Sequence, residues 1–325
     1  MRFAVVVAAL SLSAPAAALD LQGHRGTRGL APENTLPAFA TALGIGVTTL
    51  EFDTAVTKDG VVVIAHDRRL NADITKGPDG RYLTAPTPVI RTLTLAEFKR
   101  YDVGVIDPET RYAKGFPEQR AIPGTPMPTL AELGALVRRS ANATVRFNVE
   151  TKLSPLAPDE ALDPETFATT LVIALRAEGM AERATIQSFD WRTLKVVQRI
   201  APEMPTSCLT IARGNGDNVQ IGKPRASPWL AGLDVDDYGG STPRTVKAAG
   251  CTVWSPFFRD VTPEAMAEAK ANGLTVAVWT VNEPAEMRQM IDMGADAIIT
   301  DYPDRLRAVM TEKGLTLPPA TPVAP

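Results

Sequence analysis

The chain has 325 residues, of which 45% are hydrophobic and 22% charged, so it can bury a large core as one barrel or as two smaller domains. Lys and Arg total 34 against 37 for Asp and Glu, a balance that gives no general attraction to nucleic acid or to an anionic membrane. The two His and two Cys are too few for a three-His or four-Cys zinc site or a Cys-ligated iron–sulfur cluster.

Residues 1–18 have the pattern of a cleavable export signal. Arg2 precedes an apolar stretch from Phe3 to Leu12, and Ala16 and Ala18 provide the small residues of a cleavage site. As a helix this stretch would span only about 15 Å, too short to cross a bilayer. A buried N-terminal helix is the alternative, but the stretch has no polar face. We therefore expect a periplasmic or secreted protein with no stable membrane anchor after signal cleavage.

Residues 19–312 alternate between short β-branched apolar runs and stretches of helical periodicity. Thr35 before Leu36, and Thr262-Pro263 before a run closed by Gly273, are typical signals for helix starts and ends. The predicted strands are residues 21–23, 48–54, 144–150, 185–189, 206–211, 252–256, 274–281 and 297–300. Eight strand–helix units over this length are typical of an α/β protein with a (β/α)₈ TIM barrel.

One additional apolar run, residues 61–66, follows the second strand too closely for a parallel crossover. Asp59-Gly60 predicts a tight hairpin instead, so this run should pair antiparallel with the second strand. The barrel pattern then stops over residues 68–128, which predicts a small insertion subdomain above the barrel mouth. Residues 212–240 are irregular and suggest no role, and the proline-rich residues 313–325 are predicted to be extended and disordered.

Polar side chains occur where the predicted strands end, which is the active-site end of such a barrel. Glu51 and Asp53 are two residues apart on one strand and therefore face the same way, as do Asn148, Glu150 and Lys152 on the next parallel strand. Three converging carboxylates repel one another unless they are protonated or bridged by a cation. Oxygen ligands favour a hard divalent ion, Ca²⁺ or Mg²⁺.

Two other interpretations of these residues remain open at this point. The carboxylates could form structural ion pairs with Arg25 and Lys152, and a loop histidine could serve in capping or packing. His24 and His66, however, both fall at one barrel mouth, which favours acid–base chemistry. The sequence contains neither a G-x-S-x-G elbow nor a P-loop, and residues 214–216 lack the third glycine of a dinucleotide fingerprint.

The residues at the strand ends also form an ordered series of motifs between residues 24 and 303. In chain order they are His24-Arg25-Gly26, Pro32-Glu33-Asn34-Thr35, Glu51-x-Asp53, Thr57-Lys58-Asp59-Gly60, His66-Asp67-x-x-Leu70, Asn148-x-Glu150-x-Lys152, Gln187-Ser188-Phe189, Trp279-Thr280-Val281-Asn282 and Thr300-Asp301-x-Pro303. In these motifs the chain resembles the glycerophosphodiester phosphodiesterases, especially the exported bacterial type. Each motif is weak alone, but the whole series in order is specific.

The resemblance implies a TIM barrel that hydrolyses small-molecule glycerophosphodiesters to sn-glycerol 3-phosphate and an alcohol. It also implies one divalent cation as cofactor, with Ca²⁺ preferred over Mg²⁺. The implied roles are metal ligands for Glu51, Asp53 and Glu150, acid–base catalysis for His24 and His66, and phosphate binding for Arg25 and Lys152. Phe189 and Trp279 are interpreted as half core and half pocket wall, where Trp279 could stack on a glycerol or choline-like group.

Other functions and other residue roles also fit parts of the pattern. A phospholipase D-like or phosphoinositide-cleaving relative would share the site but need an exposed apolar rim. Glu51 and Glu150 could serve a glycosidase, and a non-catalytic phosphodiester-binding protein would need neither histidine. Glu33 and Asn34 have the residue types of helix caps. Cys208 and Cys251 fall on neighbouring predicted strands and could form a disulfide, or remain free as small buried side chains.

Overall fold

The computed structural model describes residues 18–325, and within them nine strands form one closed sheet. The strands are β1 Asp20–Gly23, β2 Thr49–Val56, β3 Val62–Ile64, β4 Arg146–Thr151, β5 Ala184–Ser188, β6 Thr206–Thr210, β7 Val253–Pro256, β8 Thr275–Val278 and β9 Ala297–Thr300. Strand β1 pairs in parallel with both β2 and β9, which closes eight parallel strands into the predicted barrel. The predicted export signal lies outside the described residues except for Ala18.

Helices surround the barrel and connect successive parallel strands. They are α1 Leu36–Ile45, α2 Leu95–Phe98, α3 Arg111–Gly115, α4 Leu130–Arg139, α5 Pro164–Ala177, α6 Trp191–Ile200, α7 Thr242–Ala248, α8 Pro263–Ala271, α9 Pro284–Met293 and α10 Pro303–Glu312. Thr35 and Thr262 cap α1 and α8 through their side-chain oxygens, as their positions in the sequence predict. Across residues 18–325 no helix has the length and apolar composition that a membrane span requires.

The alternation of side chains along β2 separates the core from the barrel interior. Leu50 and Phe52 are fully buried, and Phe52 meets Phe39 of α1 edge to face at 5.9 Å. Glu51 and Asp53 therefore point to the other face of the sheet, into the barrel. The hydrophobic layer between strands and helices thus fixes the direction of the polar residues.

The hairpin and the segment that follows it form a second hydrophobic cluster. Strand β3 pairs antiparallel with β2, as Asp59-Gly60 predicts. Residues 68–128 contain α2 and α3, and together with the hairpin they enclose a cluster that consists of Ala55, Val63, Ala65, Leu70, Ile74, Ile90, Phe98, Val103 and Met127. This part of the chain, called the insertion below, packs on the extended end of β2.

A disulfide and a local hydrogen-bond network hold the chain between β6 and β7. Cys208 of β6 and Cys251, just before β7, form a disulfide with a Cα–Cα distance of 6.0 Å. In segment 212–240, the buried Asn218 donates to Leu209 O at 3.1 Å and accepts from Ile211 N at 2.9 Å. These side-chain hydrogen bonds hold a segment that has no strand to provide regular backbone hydrogen bonds.

The C-terminal tail differs from the expectation of disorder. It is extended, but it lies along the barrel, where Thr321 N donates to Leu43 O at 2.8 Å and Arg307 donates to Pro318 O at 2.7 Å. Leu317 is partly buried against the main core. Proline richness predicted the extended backbone, whereas backbone hydrogen bonds and the packing of Leu315, Leu317 and Val323 hold the tail against the barrel.

Candidate active site

Polar side chains at the carboxyl ends of the strands line a cavity of about 180 Å³. Its lining includes His24, Arg25, Glu51, His66, Glu150, Lys152, Phe189 and Trp279, which are the predicted site residues apart from Asp53. Asp53 is 1% exposed, and its carboxylate lies beside Lys152, with 3.5 Å between Oδ1 and Nζ. The barrel therefore brings all nine predicted residues into one place.

Three buried carboxylates converge because of the register between β2 and β4. Asp53 is directly opposite Glu150, and Glu51 is the next inward-facing residue of β2. One oxygen from each of Glu51, Asp53 and Glu150 lies within 4.8 Å of the other two. Oxygen ligands of one Ca²⁺ ion, each at about 2.3–2.6 Å, are at most about 5.2 Å apart, so three oxygens this close to one another can share one ion.

The ion pairs that were the alternative interpretation are also present. Lys152 Nζ is 2.8 Å from Glu150 Oε1, and Arg25 Nε is 3.4 Å from Asp53 Oδ2. The carboxylate of Glu51 accepts hydrogen bonds from the backbone N–H of Arg25 and the side-chain amide of Gln187, neither of which carries a charge. Burial, together with the charge of Asp53, raises the pKa of Glu51 well above its usual range. Burial likewise raises the pKa of Glu150 despite Lys152. Two cationic side chains thus do not neutralise three carboxylates, and the donor set fits a hard divalent cation.

His24, which follows β1, is held by the carboxylate of Asp301, which follows the neighbouring strand β9. Its Nδ1 lies 2.7 Å from Asp301 Oδ1, and Asp301 also accepts from Arg28 at 2.8 and 3.0 Å and from Asn282 at 2.7 Å. Burial and the charge of Arg28 lower the pKa of His24 to about 4. The neutral ring therefore donates from Nδ1 to Asp301 and keeps its lone pair on Nε2, 3.9 Å from Glu51 Oε2.

His66 has a similar but more exposed arrangement. Its Nδ1 is 2.9 Å from Oδ1 of the neighbouring Asp67. Burial, followed by the charges of Arg25 and Lys152, lowers the pKa of His66. Burial opposes ionisation of Asp67, but the hydrogen bond from His66 and the charges of His66, Arg25 and Lys152 together outweigh it, and the pKa of Asp67 falls to about 2. Both histidines are therefore oriented by an ionised carboxylate at Nδ1.

Arg25 is fixed by residues from both the barrel and the insertion. Its Nη1 donates to Glu33 Oε1 at 2.6 Å, and the other oxygen of Glu33 accepts from the Tyr112 hydroxyl of α3. Arg25 itself adopts a left-handed backbone with a φ of 49°. This conformation turns its backbone N–H toward Glu51 Oε2, 2.9 Å away.

Glu33 and Asn34 do not cap α1, which corrects the capping interpretation. Thr35 provides the cap, because its hydroxyl accepts from Ala38 N. Asn34 has a φ of 57°, and its Nδ2 donates to Asp53 Oδ2 at 2.9 Å. The two residues before the cap are therefore turned into the barrel mouth, where they hold Arg25 and Asp53.

Aromatic side chains form one wall of the cavity. The rings of Phe189 and Trp279 meet edge to face at 5.4 Å, and Phe257 contacts Trp279 at 5.5 Å. Trp279 Nε1 donates to Ser255 O at 2.9 Å, which fixes the indole. Lys152 Nζ lies 5.9 Å from the centre of the Phe189 ring. This wall matches the interpretation of Phe189 and Trp279 as part core and part pocket.

Sequence reasoning assigned no role to several residues that hold this site. Asp301, Asn282 and Gln187 stood in the motif series without a role, although their positions at strand ends were a usable signal. Arg28 and Tyr112 gave no signal, because one lies in a turn and the other in the insertion. Their contacts with Asp301 and Glu33 depend on the folded barrel.

Comparison with known proteins gives consistent results. The model of the glycerophosphoryl diester phosphodiesterase family matches residues 24–305. A relative from Caldanaerobacter subterraneus subsp. tengcongensis, named glycerophosphodiester phosphodiesterase, is 28% identical over 291 residues, which cover 90% of this chain and 97% of the relative. A relative of the same name from Bacillus subtilis is 27% identical over 291 residues, covering 88% and 84%.

Solved structures show the same architecture. A protein from Silicibacter pomeroyi, assigned as a glycerophosphoryl diester phosphodiesterase, aligns with a TM-score of 0.81 and 35% identity over 92% of this chain and 95% of its own. A phosphodiesterase from Oleispira antarctica, solved with the product sn-glycerol 3-phosphate, aligns with a TM-score of 0.66 and 20% identity over 90% and 97%. The latter likeness supports the fold alone. From the family match across residues 24–305, this chain belongs to the glycerophosphoryl diester phosphodiesterase family.

Proposed function

We propose that this chain hydrolyses glycerophosphodiesters to sn-glycerol 3-phosphate and an alcohol with the help of one divalent cation. The observation that carries the proposal is the meeting of three buried carboxylates and two carboxylate-oriented histidines in one cavity. The family match supports the substrate class. The phosphodiesterase from Oleispira antarctica, which shares the fold, was solved with sn-glycerol 3-phosphate, the product that we propose for this chain.

Glu51, Asp53 and Glu150 would hold the cation. When bound, a divalent cation neutralises the negative charge that develops on the phosphoryl oxygens. We propose Ca²⁺ rather than Mg²⁺ as the cation, because a site built from three protein carboxylates resembles the oxygen cages of Ca²⁺ more than the water-rich sites of Mg²⁺. Arg25 and Lys152 line the same cavity and supply positive charge to the phosphate.

His24 and His66 would transfer the protons. One neutral ring takes the proton of the attacking hydroxyl on Nε2, while the other, as an imidazolium, protonates the oxygen of the departing alcohol. We propose the neighbouring glycerol hydroxyl as the attacking group, which gives a cyclic phosphate that water then opens. In the second step the proton transfers reverse, so that both rings return to their first state.

The alternatives differ in what they require of the surface and the site. Cleavage of intact lipid needs an exposed apolar rim, but the exposed large hydrophobic residues of the described chain, Leu156, Ile173 and Ile221, fall in three separate segments. We therefore propose free, water-soluble diesters as substrates. A glycosidase would not need the cation, and a binding protein would not need the orienting carboxylates of His24 and His66.

We also propose that the protein acts in the periplasm or outside the cell after cleavage behind Ala18. The predicted export signal and the Cys208–Cys251 disulfide, which is typical of oxidising compartments, support this location. The N-terminal sequence of the exported protein tests it. A mature chain that begins at Leu19 supports the proposal, and retention of Met1 contradicts it.

The central experiment follows release of sn-glycerol 3-phosphate from glycerophosphocholine and glycerophosphoethanolamine. Activity should disappear with EDTA and return with Ca²⁺ or, less well, with Mg²⁺. H24A and H66A should each lower kcat by about 10²–10⁴ while melting as folded proteins. Full turnover in EDTA would contradict the cation site, and either variant retaining more than about a tenth of kcat would contradict the role of that histidine.

A further inference from the structure

A chain of side-chain amides runs through the barrel interior from Glu51 toward the other end of the barrel. Gln187 Nε2 donates to Glu51 Oε1 at 2.7 Å, and Gln187 Oε1 accepts from Asn148 Nδ2 at 3.0 Å. The same nitrogen of Asn148 donates to Gln22 Oε1 at 2.9 Å, and Gln22 Nε2 donates to Asp20 Oδ2 at 2.9 Å. Four hydrogen bonds thus connect a candidate cation ligand with the first residue of β1.

The direction of each hydrogen bond in this chain follows from its two ends. The carboxylate oxygens of Glu51 and Asp20 both act as acceptors in this chain, because each receives an amide N–H from a glutamine. Gln187 and Gln22 therefore each direct the amide nitrogen toward the carboxylate and the amide oxygen toward Asn148. Asn148, in the middle, has to donate both of its N–H hydrogens, one to each glutamine. The NH₂ group of Asn148 donates to both glutamines and thereby fixes the orientation of both glutamine amides, one on each arm of the hydrogen-bond chain.

This arrangement leaves one buried polar atom without a partner. Asn148 is 3% exposed, and its Oδ1 accepts no hydrogen bond from the described residues. Rotating the Gln187 and Asn148 amides together would give Asn148 Oδ1 a donor. The rotation would also set Gln187 Oε1 against Glu51 Oε1 at 2.7 Å, with two acceptors facing each other. The fold thus keeps the donor on Glu51 and leaves Asn148 Oδ1 unpaired, although such a buried group is costly.

Asn148 also lines a second cavity, although its unpaired Oδ1 is itself buried. Asn148 lines a cavity of about 370 Å³ among the residues at the amino ends of the strands, on the side of the barrel opposite the candidate active site. Ser207, whose Oγ also lacks a partner among the described residues, lines the same cavity. A polar cavity of this size accommodates water, which would lie beside these two buried oxygens.

We propose that Gln187 and Asn148 are positioning residues for the cation site, acting on Glu51 through this directional chain. Gln187 holds Oε1 of Glu51, and the backbone N–H of Arg25 holds Oε2 at 2.9 Å. Each oxygen keeps a further lone pair for a cation. The inference rests on the cation site of the proposed function. Partners of this kind, one shell away from a metal, commonly set its affinity.

The test measures Ca²⁺ affinity directly, by calorimetric titration of chelator-treated protein. Gln187→Met should weaken Ca²⁺ binding by about 10–100-fold relative to the wild type. Asn148→Ala should also weaken it, but adding Asn148→Ala to Gln187→Met should change it little, because Asn148 acts through Gln187. Gln22→Met is the matched control, since it removes the same type of amide from the other arm. Its affinity should stay within about threefold of the wild type.

The possible outcomes separate the two proposals. A wild-type protein that binds neither Ca²⁺ nor Mg²⁺ overturns the cation site and this inference with it. Binding in the wild type and equal binding in Gln187→Met overturns the positioning role alone. An equal loss in Gln22→Met also overturns that role, because general loosening of the barrel would then explain the effect. If Gln187→Met fails to fold, Gln187→Asn, which keeps the amide but withdraws it by one methylene, takes its place with the same expected loss.

Discussion

Replacing Asp301 by Asn removes the charge that orients His24 while preserving side-chain volume. Oδ1 of Asp301 accepts from His24 Nδ1 and Arg28 Nε, and Oδ2 accepts from Arg28 Nη2 and Asn282 Nδ2. An asparagine offers one acceptor and one donor in the same space. In one orientation its amide nitrogen faces His24, so that the ring proton moves to Nε2. In the other, it faces the donors of Arg28 and Asn282.

Both orientations impair proton transfer at His24. With the proton on Nε2, the ring cannot accept another proton there. With the carbonyl toward His24, the tautomer survives, but the imidazolium that forms during the reaction has lost its counter-charge. We expect kcat to fall by about 10²–10⁴ in D301N. The buried Arg28 also loses its partner, which should lower the free energy of unfolding by about 3–5 kcal/mol.

The assay combines turnover, melting temperature and ring tautomer. The sequence has only two histidines, so ¹⁵N-histidine NMR of wild type, H66A and D301N identifies the protonated nitrogen of His24. Asp190→Asn is the matched control. Asp190 is fully buried, follows a barrel strand and pairs with Arg192, but it contacts no histidine. D190N should lower the melting temperature and leave kcat close to the wild type.

Two results would refute this reasoning. The first is a folded D301N that retains more than about a tenth of the wild-type kcat, which would show that the orientation of His24 by Asp301 contributes little. The second is an equal loss of kcat in D190N, which would assign the effect to a weakened barrel.

Three further outcomes follow from the structure. In chelator, the pKa of His24 of about 4 lies below its value of about 6.5 in an unfolded chain, so the unfolded state binds the proton more tightly. Above about pH 6.5, His24 should therefore not lower the free energy of unfolding. Between about pH 6.5 and about pH 4 the free energy of unfolding should fall by at most about 3 kcal/mol because of His24. Urea titrations of H24Q should lack this part of the pH dependence. Reducing the Cys208–Cys251 bond should cost about 2–4 kcal/mol in urea unfolding, and two free thiols in the denatured, unreduced protein would contradict the bond. Y112F removes the hydroxyl that holds Glu33 against Arg25 and should lower kcat/KM about tenfold, with little change expected in Ca²⁺ affinity.

Local patterns in the sequence determined the barrel and the direction of its polar residues. Strand length, β-branched content and helix caps such as Thr35 are properties of a few adjacent residues, so they can be recognised without a structure. The two-residue period placed Glu51 and Asp53 on one face, and the hydrophobic layer around Phe52 confirms that this face is the barrel interior. The tight turn at Asp59-Gly60 predicted the antiparallel hairpin for the same reason.

The tertiary structure decided which distant residues act on the site. Asp301 and His24 are 277 residues apart, and they meet because β9 pairs with β1 to close the barrel. Tyr112 reaches Glu33 only because the insertion packs above the barrel mouth. The order of the tail and the polarity of the amide chain around Asn148 also depend on contacts between remote segments. Local propensity carries no information on such pairings, because their register and direction are set only when the sheet closes.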